Sequence, residues 1–244
     1  MAKSNFVGGF SLVEMAIVLV ILGFVISAML LPISAQREQN FRLQTDNQLV
    51  TAQTALIGFA QRWGRLPCPA TDASNGLEDP VGGSTSTVAC TVEDGQDGFL
   101  PAVTLGIRPV NSDGYAVDGW GNPIRYAVTQ TDADGAGGAD FTTINEMNKV
   151  TIASLNPDLR VYDNSGNFPG TYLINNAVAV VYSTGQNGPT AVGDDEEDNL
   201  DGDRDFFSRV PTDAAAAGGF FDDHVIWISP YILYNAMIEA GQLH

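Results

Sequence analysis

The chain has 244 residues, enough for one domain with an appendage, and carries 11 Lys and Arg residues against 29 Asp and Glu residues. Its formal net charge of -18 argues against nucleic acid as a direct partner, because phosphate binding requires a basic surface. A hydrophobic content of 44% excludes disorder throughout the chain. The charge is unevenly spread, since residues 1–63 sum to +1 and residues 64–244 sum to -19. An acidic body therefore follows a nearly neutral N-terminal segment.

A long apolar run lies near the N-terminus. The 22 residues between Glu14 and Arg37 are all uncharged, and as a helix they would cover roughly the 30 Å hydrocarbon core of a bilayer. The run predicts a membrane-spanning helix over 10–36, with a helix buried in a globular core as the alternative. Lys3, in the short leader 1–9, favours a cytoplasmic N-terminus. Glu14 is an acidic residue at the start of this predicted span, and its position predicts a functional role for the carboxylate. The alternative is a side chain that reaches the membrane interface.

The residues at the start of this run carry a family resemblance. The segment Gly9–Glu14, GFSLVE, followed directly by the apolar run, resembles the prepilin-type cleavage and methylation motif of type IV pilins and type II secretion pseudopilins. The resemblance implies that a prepilin peptidase cuts after Gly9 and methylates the new N-terminal residue, Phe10. It also implies that Glu14 of one subunit neutralises the Phe10 amine of a neighbouring subunit, which would fix the stagger of a filament.

A second helical pattern continues beyond the apolar run. Over 37–63 apolar residues recur at spacings of three and four, with polar residues between them. The members of this stripe are Phe41, Thr45, Leu49, Ala52, Leu56, Phe59 and Trp63. The pattern predicts that the same helix becomes amphipathic, packs on the core of the chain and ends by Gly64, with Pro67 beyond it as a stop.

The remainder, 64–244, predicts an acidic globular domain rich in β-structure. Turn-forming residues dominate 64–122, and the turn Asp118–Pro123, DGWGNP, resembles the one that introduces the sheet in major pseudopilins. Predicted strands follow at Pro123–Thr129, Thr171–Asn175, Ala177–Ser183 and His224–Ser229, and a closing helix at Tyr231–Gly241. The predicted fold class is α+β and pilin-like: a long N-terminal helix, membrane-spanning in its first half, packed on a C-terminal antiparallel sheet domain.

Two cysteines, Cys68 and Cys90, lie 22 positions apart in the turn-rich stretch. They are too few for a four-thiolate zinc site. On the periplasmic side that the topology implies, an oxidising compartment favours a disulfide between them. The alternative is a pair of unrelated free thiols.

The densest charge in the sequence lies at 193–205, where eight of 13 residues are acidic. Such a segment repels itself unless a cation collects its carboxylates. The alternation of Asp201, Asp203 and Asp205, together with Asp198, predicts a calcium site; the alternative is a solvated acidic loop. The EF-hand frame fails, because Phe206 stands at its sixth position and no Glu at its twelfth. Major pseudopilins resemble this arrangement in holding calcium in a loop of the same C-terminal part.

Together these features predict a structural subunit of a type IV pilus or type II secretion pseudopilus, and the length of the body favours a minor or pilus-type subunit. Implied partners are like or homologous subunits, prepilin peptidase, the inner-membrane assembly machinery and membrane lipid. The predicted location is the bacterial inner membrane, with a periplasmic body, and then a periplasmic or extracellular filament. The alternative is a membrane-anchored periplasmic calcium- or ligand-binding module that does not polymerise. Enzyme activity is not expected, because no nucleophile, nucleotide-binding or zinc-protease motif occurs.

Overall fold

The computed structural model describes residues 11–92, 98–163, 171–190, 193–216 and 219–244, and within them every side chain except those at 28–34 and 194. The predicted leader 1–9, and with it Gly9 and Phe10 of the cleavage site, lie outside the described residues. The chain divides into two compact units, Met1–Arg42 and Leu43–His244. The amphipathic stripe therefore belongs mostly to the same unit as the body.

Helix α1 spans Leu12–Trp63. In the first unit each residue from 12 to 27 is exposed, with Leu12 at 89% and Phe24 at 75%. The large apolar side chains exposed here are Leu12, Val13, Met15, Ile17, Val18, Leu19, Val20, Ile21, Leu22, Phe24, Val25 and Ile26. This part of α1 thus presents apolar surface on all sides.

The predicted membrane-spanning first half of the helix is wrong for the part of the chain that the structure describes. Among those residues, no helix combines the length and the apolar character needed to cross a bilayer.

In the second unit, α1 packs through the predicted stripe. Thr45, Leu49, Ala52 and Leu56 are each at most 1% exposed, whereas Trp63 is 48% exposed at the end of the helix. Burial at spacings of three and four follows from the 3.6-residue period, which puts these positions on one face. The predicted packing of the amphipathic half on the chain's own core is confirmed.

After α1, the described residues of the second unit form three α-helices and six strands. In chain order these are α2 (Ala102–Leu105), β1 (Arg125–Val128), β2 (Leu159–Tyr162), β3 (Tyr172–Ala177), β4 (Ala179–Ser183), α3 (Asp194–Asp198), β5 (Asp205–Phe207), β6 (His224–Ile228) and α4 (Pro230–Glu239). The predicted strands correspond to β1, β3, β4 and β6, and the predicted closing helix corresponds to α4.

The strands form two sheets, so the prediction of a single antiparallel sheet is wrong. The first sheet has the order β1-β4-β6 and is antiparallel. The second has the order β3-β2-β5 and is mixed, because β2 pairs antiparallel with β3 and parallel with β5. Strands β2 and β5 have only four and three residues, and their parallel pairing joins segments distant in sequence. The observed fold is α+β with two small sheets.

Strand β4 lies at the centre of the packing, and its five residues are all buried. Ala179 and Val181 belong to the core beneath α1 and α4, whereas Val180 and Tyr182 belong to a core shared with the second sheet. Successive side chains of a strand point to opposite faces, so the first sheet is covered on both. This explains why β4 is a continuous apolar run instead of an alternating one.

The predicted disulfide is confirmed, since Cys68 and Cys90 are bonded with their Cα atoms 5.4 Å apart. A buried ion pair also ties the loop that the disulfide closes to the residue Arg65, which lies just before the loop. Glu78 accepts two hydrogen bonds from the guanidinium of Arg65, at 2.7 and 2.8 Å, and both side chains are at most 6% exposed. Glu78 further accepts from the backbone N–H groups of Cys68 and Gly82. Covalent and polar links therefore hold the same loop.

The turn Asp118–Pro123 precedes β1, and the buried carboxylate of Asp118 holds its conformation. Asp118 is 1% exposed, and its Oδ1 accepts hydrogen bonds from the N–H groups of Trp120 and Asn122 at 2.9 and 2.8 Å. Its Oδ2 accepts from the Ser183 hydroxyl at 2.6 Å, at the end of β4. Gly121, with φ of 95°, supplies the left-handed position that the turn requires. The turn is thereby tied to the central strand.

Candidate functional site

Glu14, the predicted assembly residue, takes part in the N-terminal cap of α1. Its Oε2 accepts a hydrogen bond from the N–H of Ser11 at 2.8 Å, and its own N–H donates to the Ser11 hydroxyl at 3.2 Å. This reciprocal pair is a capping box, which satisfies two of the backbone donors left over at a helix start. In the isolated chain the carboxylate therefore has a local role besides the predicted one.

The structure does not bring the four predicted calcium ligands to a common centre. Asp198 ends α3, and Asp201 is exposed and accepts the N–H of Asp203 at 2.9 Å. Asp203 in turn accepts the N–H of Asp205, whose carboxylate pairs with the guanidinium of Arg160 at 2.8 Å. The carboxylates of Asp201, Asp203 and Asp205 are thus engaged with the backbone or with an arginine. The calcium interpretation of these four residues stays a prediction.

A different set of acids converges within the same region. Glu196, Asp222 and Asp223 place ligand oxygens within 4.8 Å of one another, and among the described residues no other group of three or more potential metal ligands does so. All three are buried, at 1%, 3% and 5% exposure. We call these residues the acidic cluster.

Helix α3 and the approach to β6 assemble the acidic cluster. Glu196 lies in α3, and the bridge between Thr212 and Phe221 brings the following pair, Asp222 and Asp223, to the start of β6. The N–H of Asp222 donates to Glu196 Oε1 at 2.9 Å, which fixes the two segments to each other. Side-chain hydrogen bonds between two segments far apart in sequence therefore bring the three carboxylates together.

Backbone and side-chain amide groups donate hydrogen bonds to one carboxylate oxygen of each residue in the acidic cluster. The Asn187 side-chain amide donates to Glu196 Oε2 at 2.6 Å, and the N–H of Gln186 donates to Asp222 Oδ2 at 2.9 Å. Asn199 donates to Asp223 Oδ2 at 2.8 Å and accepts from the N–H of Phe207 in β5 at 2.7 Å. These donors are neutral, so they orient the carboxylates without cancelling their charge.

Two neighbouring features shape the cluster. Gly185, with φ of 59°, lies so close to the Asp222 carboxylate that a side chain at position 185 would overlap with it. Asp195, also fully buried, pairs with Arg209, whose guanidinium lies 4.6 Å from the centre of the Phe221 ring. Arg209 is thus engaged by a carboxylate of α3 that is adjacent in sequence to Glu196.

The electrostatics of the acidic cluster favour a bound cation. Burial raises the pKa of Asp223 well above its usual value, the Asn199 hydrogen bond opposes this, and the charges of Glu196 and Asp222 raise the pKa further. Three carboxylates confined together stabilise either a proton or a metal ion. Calcium fits this donor set, because it takes six to eight oxygen ligands in flexible geometry.

Sequence reasoning missed Glu196, Asp222 and Asp223. Asp222 and Asp223 lie outside the acidic run at 193–205 and directly precede His224. His224 Nδ1 and Asp46 Oδ1 of α1 are hydrogen-bonded at 2.8 Å, so the histidine contacts α1. The signal that could have found the cluster is an acidic pair directly before a half-buried strand.

Comparisons with protein-family models, with curated proteins and with solved structures found no match to this chain.

Proposed function

We propose that the chain is a structural subunit of a helical filament of the type IV pilus or type II secretion pseudopilus kind. The observation that carries the proposal is the apolar surface of α1 between Leu12 and Ile26, which is exposed on all sides. Contiguous apolar surface of this extent marks an interaction site. Like helices from neighbouring subunits are the covering that a filament supplies, through head-to-tail contacts that do not close.

Two further features support this proposal. The motif Gly9–Glu14 resembles a prepilin cleavage site, so we propose processing between Gly9 and Phe10 by a prepilin peptidase, with methylation of Phe10. The Cys68–Cys90 disulfide supports the proposal of a body in an oxidising compartment outside the cytoplasm. A minor subunit fits best, since the acidic body is long for a major pseudopilin.

The experiment combines N-terminal mass spectrometry with filament assembly. In cells that possess the peptidase, the mature chain should begin at Phe10 and carry an added methyl group. Ile21→Asp places a charge on the apolar surface of α1 and should reduce the chain's content in sheared filaments at least tenfold. Val210→Asp is the matched control, because Val210 is also exposed, at 79%, but lies in the second unit. Equal incorporation of the Ile21 variant and the wild type would overturn the proposal.

A second candidate function is a calcium-binding module that does not polymerise. The acidic cluster favours it, because three buried carboxylates surrounded by neutral donors suit a divalent cation. Calcium binding is also compatible with a filament subunit, in which it would stabilise the body. The absence of the chain from filaments, together with calcium binding, would select the module.

Calcium at the acidic cluster is tested by thermal unfolding of the full chain. Binding to the folded state alone stabilises by about 2.7 kcal/mol at a hundredfold excess over Kd. Calcium should therefore raise Tm more than magnesium at equal ionic strength, since magnesium dehydrates reluctantly. Glu196→Gln should remove most of this increment, whereas Glu197→Gln, at the exposed adjacent position, should retain it. Equal shifts in both variants would show that the cluster is not the site.

A further inference from the structure

A second acidic loop, at 131–140, lies apart in sequence from the acidic cluster. Its residues TDADGAGGAD include Asp132, Asp134 and Asp140. If Asp132 is counted as the first position of a twelve-residue calcium loop, Asp134 falls on the third, Gly137 on the sixth and Asp140 on the ninth. Calcium loops place ligands at positions one, three and nine and a glycine at position six. The frame is incomplete, because the fifth position is an alanine and the twelfth a threonine.

The backbone of the loop turns as that frame requires. Asp132 accepts hydrogen bonds from the N–H groups of Gly135 and Gly137, both at 2.9 Å, and Asp134 accepts from Ala136 at 2.8 Å. Gly137 has φ of 93°, and a Cβ there would lie 2.7 Å from the carbonyl oxygen of Ser86. Glycine is therefore required at this position by both backbone conformation and space.

Asp140 supplies an observation independent of the loop's shape. The residue is 1% exposed, and its Oδ1 is buried without a hydrogen-bond partner. Its Oδ2 accepts from the N–H of Ala133, which lies between Asp132 and Asp134, so the carboxylate lies against the segment that carries the other two acids. A buried carboxylate oxygen without a donor is costly unless a proton or a cation satisfies it.

The charges around Asp140 point the same way. The pKa of Asp140 is raised to about 6, chiefly by burial; the Ala133 hydrogen bond opposes this rise, and the charges of Asp132, Asp134 and Glu146 contribute to it. Lys149 is the neighbouring cation, and its ammonium pairs with Glu146 at 2.7 Å while its side chain stays half exposed. The four acidic residues therefore outnumber Lys149, and the surroundings of Asp140 carry an excess of negative charge.

From this arrangement we infer that the loop 132–140 binds a divalent cation, calcium by preference, with Asp140 as the buried ligand and Asp132 and Asp134 as ligands at the rim. The three carboxylates do not lie within 4.8 Å of one another in this structure. The rim side chains, partly or fully exposed, must therefore turn from their N–H donors toward Asp140 when the cation binds. With few ligands and a required rearrangement, the expected Kd is weak, about 10⁻⁴ to 10⁻³ M.

The test is equilibrium dialysis of the full chain against radiolabelled calcium at fixed ionic strength. The double variant Asp132→Asn with Asp134→Asn keeps the oxygen acceptors of the turns but loses their charge, and should bind one fewer calcium ion per chain than the wild type. Asp140→Asn should show the same loss by removing the buried charge instead. Asp113→Asn, at an exposed aspartate in another loop, is the matched control and should bind as the wild type does.

The outcomes separate this site from the acidic cluster. When Glu196→Gln is added to the double variant, the chain should bind one calcium ion fewer than the double variant alone, because the two sites are independent. If the double variant and Asp140→Asn both bind calcium as the wild type does, the inference is overturned. It is also overturned if Asp113→Asn lowers binding equally, because the loop would then act only through the net charge of the chain.

Discussion

The two roles of Glu14 can be separated by replacing it with glutamine and with alanine. Glutamine retains the oxygen that accepts the Ser11 N–H and so preserves the capping box, but it removes the negative charge. Alanine removes both. Ser11→Ala is the complementary variant, since it removes the hydroxyl that accepts the Glu14 N–H at 3.2 Å while leaving the carboxylate in place.

The expected magnitudes differ enough to distinguish the roles. Loss of an N-cap side chain costs about 1 kcal/mol and is confined to the first turn of the helix. Removal of one charge from a buried pair costs about 3 to 5 kcal/mol, because the partner charge is left uncompensated. If Glu14 pairs with the Phe10 amine of a neighbouring subunit, Glu14→Gln should therefore reduce incorporation about a hundredfold or more, at 1.4 kcal/mol for each tenfold.

The assay co-expresses each variant with the tagged wild type and measures their ratio in sheared filaments by quantitative mass spectrometry. Processing at Gly9 is checked in the same samples, so that a failure of cleavage is not mistaken for a failure of assembly. Ser11→Ala should incorporate at a level within about tenfold of the wild type, given the roughly 1 kcal/mol cost of the cap. If Glu14→Gln incorporates normally while Ser11→Ala and Glu14→Ala do not, the residue acts through the cap and the ionic pairing is refuted.

Three further predictions concern stability, measured as the free energy of unfolding of the full chain. Asp118→Ala leaves the N–H groups of Trp120 and Asn122 without their acceptor and should lower the free energy of unfolding by about 3 to 5 kcal/mol. Ser183→Ala removes one hydrogen bond to Asp118 and should lower it by about 1 to 2 kcal/mol. Equal losses in the two variants would show that the hydrogen bonds within the turn contribute little. Replacing both Cys68 and Cys90 by serine should cost about 3 kcal/mol by chain entropy, and an unchanged value would contradict that estimate. Tyr234→Phe should stabilise by about 1 kcal/mol, because the buried hydroxyl has no hydrogen-bond partner; destabilisation would indicate a bound water.

Local patterns predicted the elements whose side chains repeat regularly. The α1 stripe was predictable from the 3.6-residue period of a helix. Strands β1, β3, β4 and β6 were predictable as short runs bounded by turn-forming residues. Strand β5, Asp205–Phe207, was not, since three residues at the end of an acidic run give no alternation. Its parallel pairing with β2 depends on a contact between segments more than 40 residues apart, which no local pattern encodes.

The calcium prediction shows the same limit at the level of a site. Alternating aspartates at 201, 203 and 205 suggested a common centre, yet each carboxylate was satisfied locally, by a neighbouring N–H or by Arg160. The acids that do converge are Glu196 and the pair that precedes β6, which are 26 positions apart. Spacing in sequence identifies ligands only when one loop holds them all, and here hydrogen bonds from Asp222 to Glu196 and from Asn199 to Asp223 join two distant segments.

The position of Glu78 inside the loop closed by Cys68 and Cys90 bears on how that loop matures. Glu78 accepts from Arg65, from the N–H of Cys68 and from the N–H of Gly82, and none of these bonds requires oxidised sulfur. These bonds therefore hold Glu78 against Arg65 and Cys68 whether the thiols are reduced or oxidised. Loss of the Glu78 carboxylate should loosen the loop more in the reduced chain than in the oxidised chain, where the disulfide still closes it.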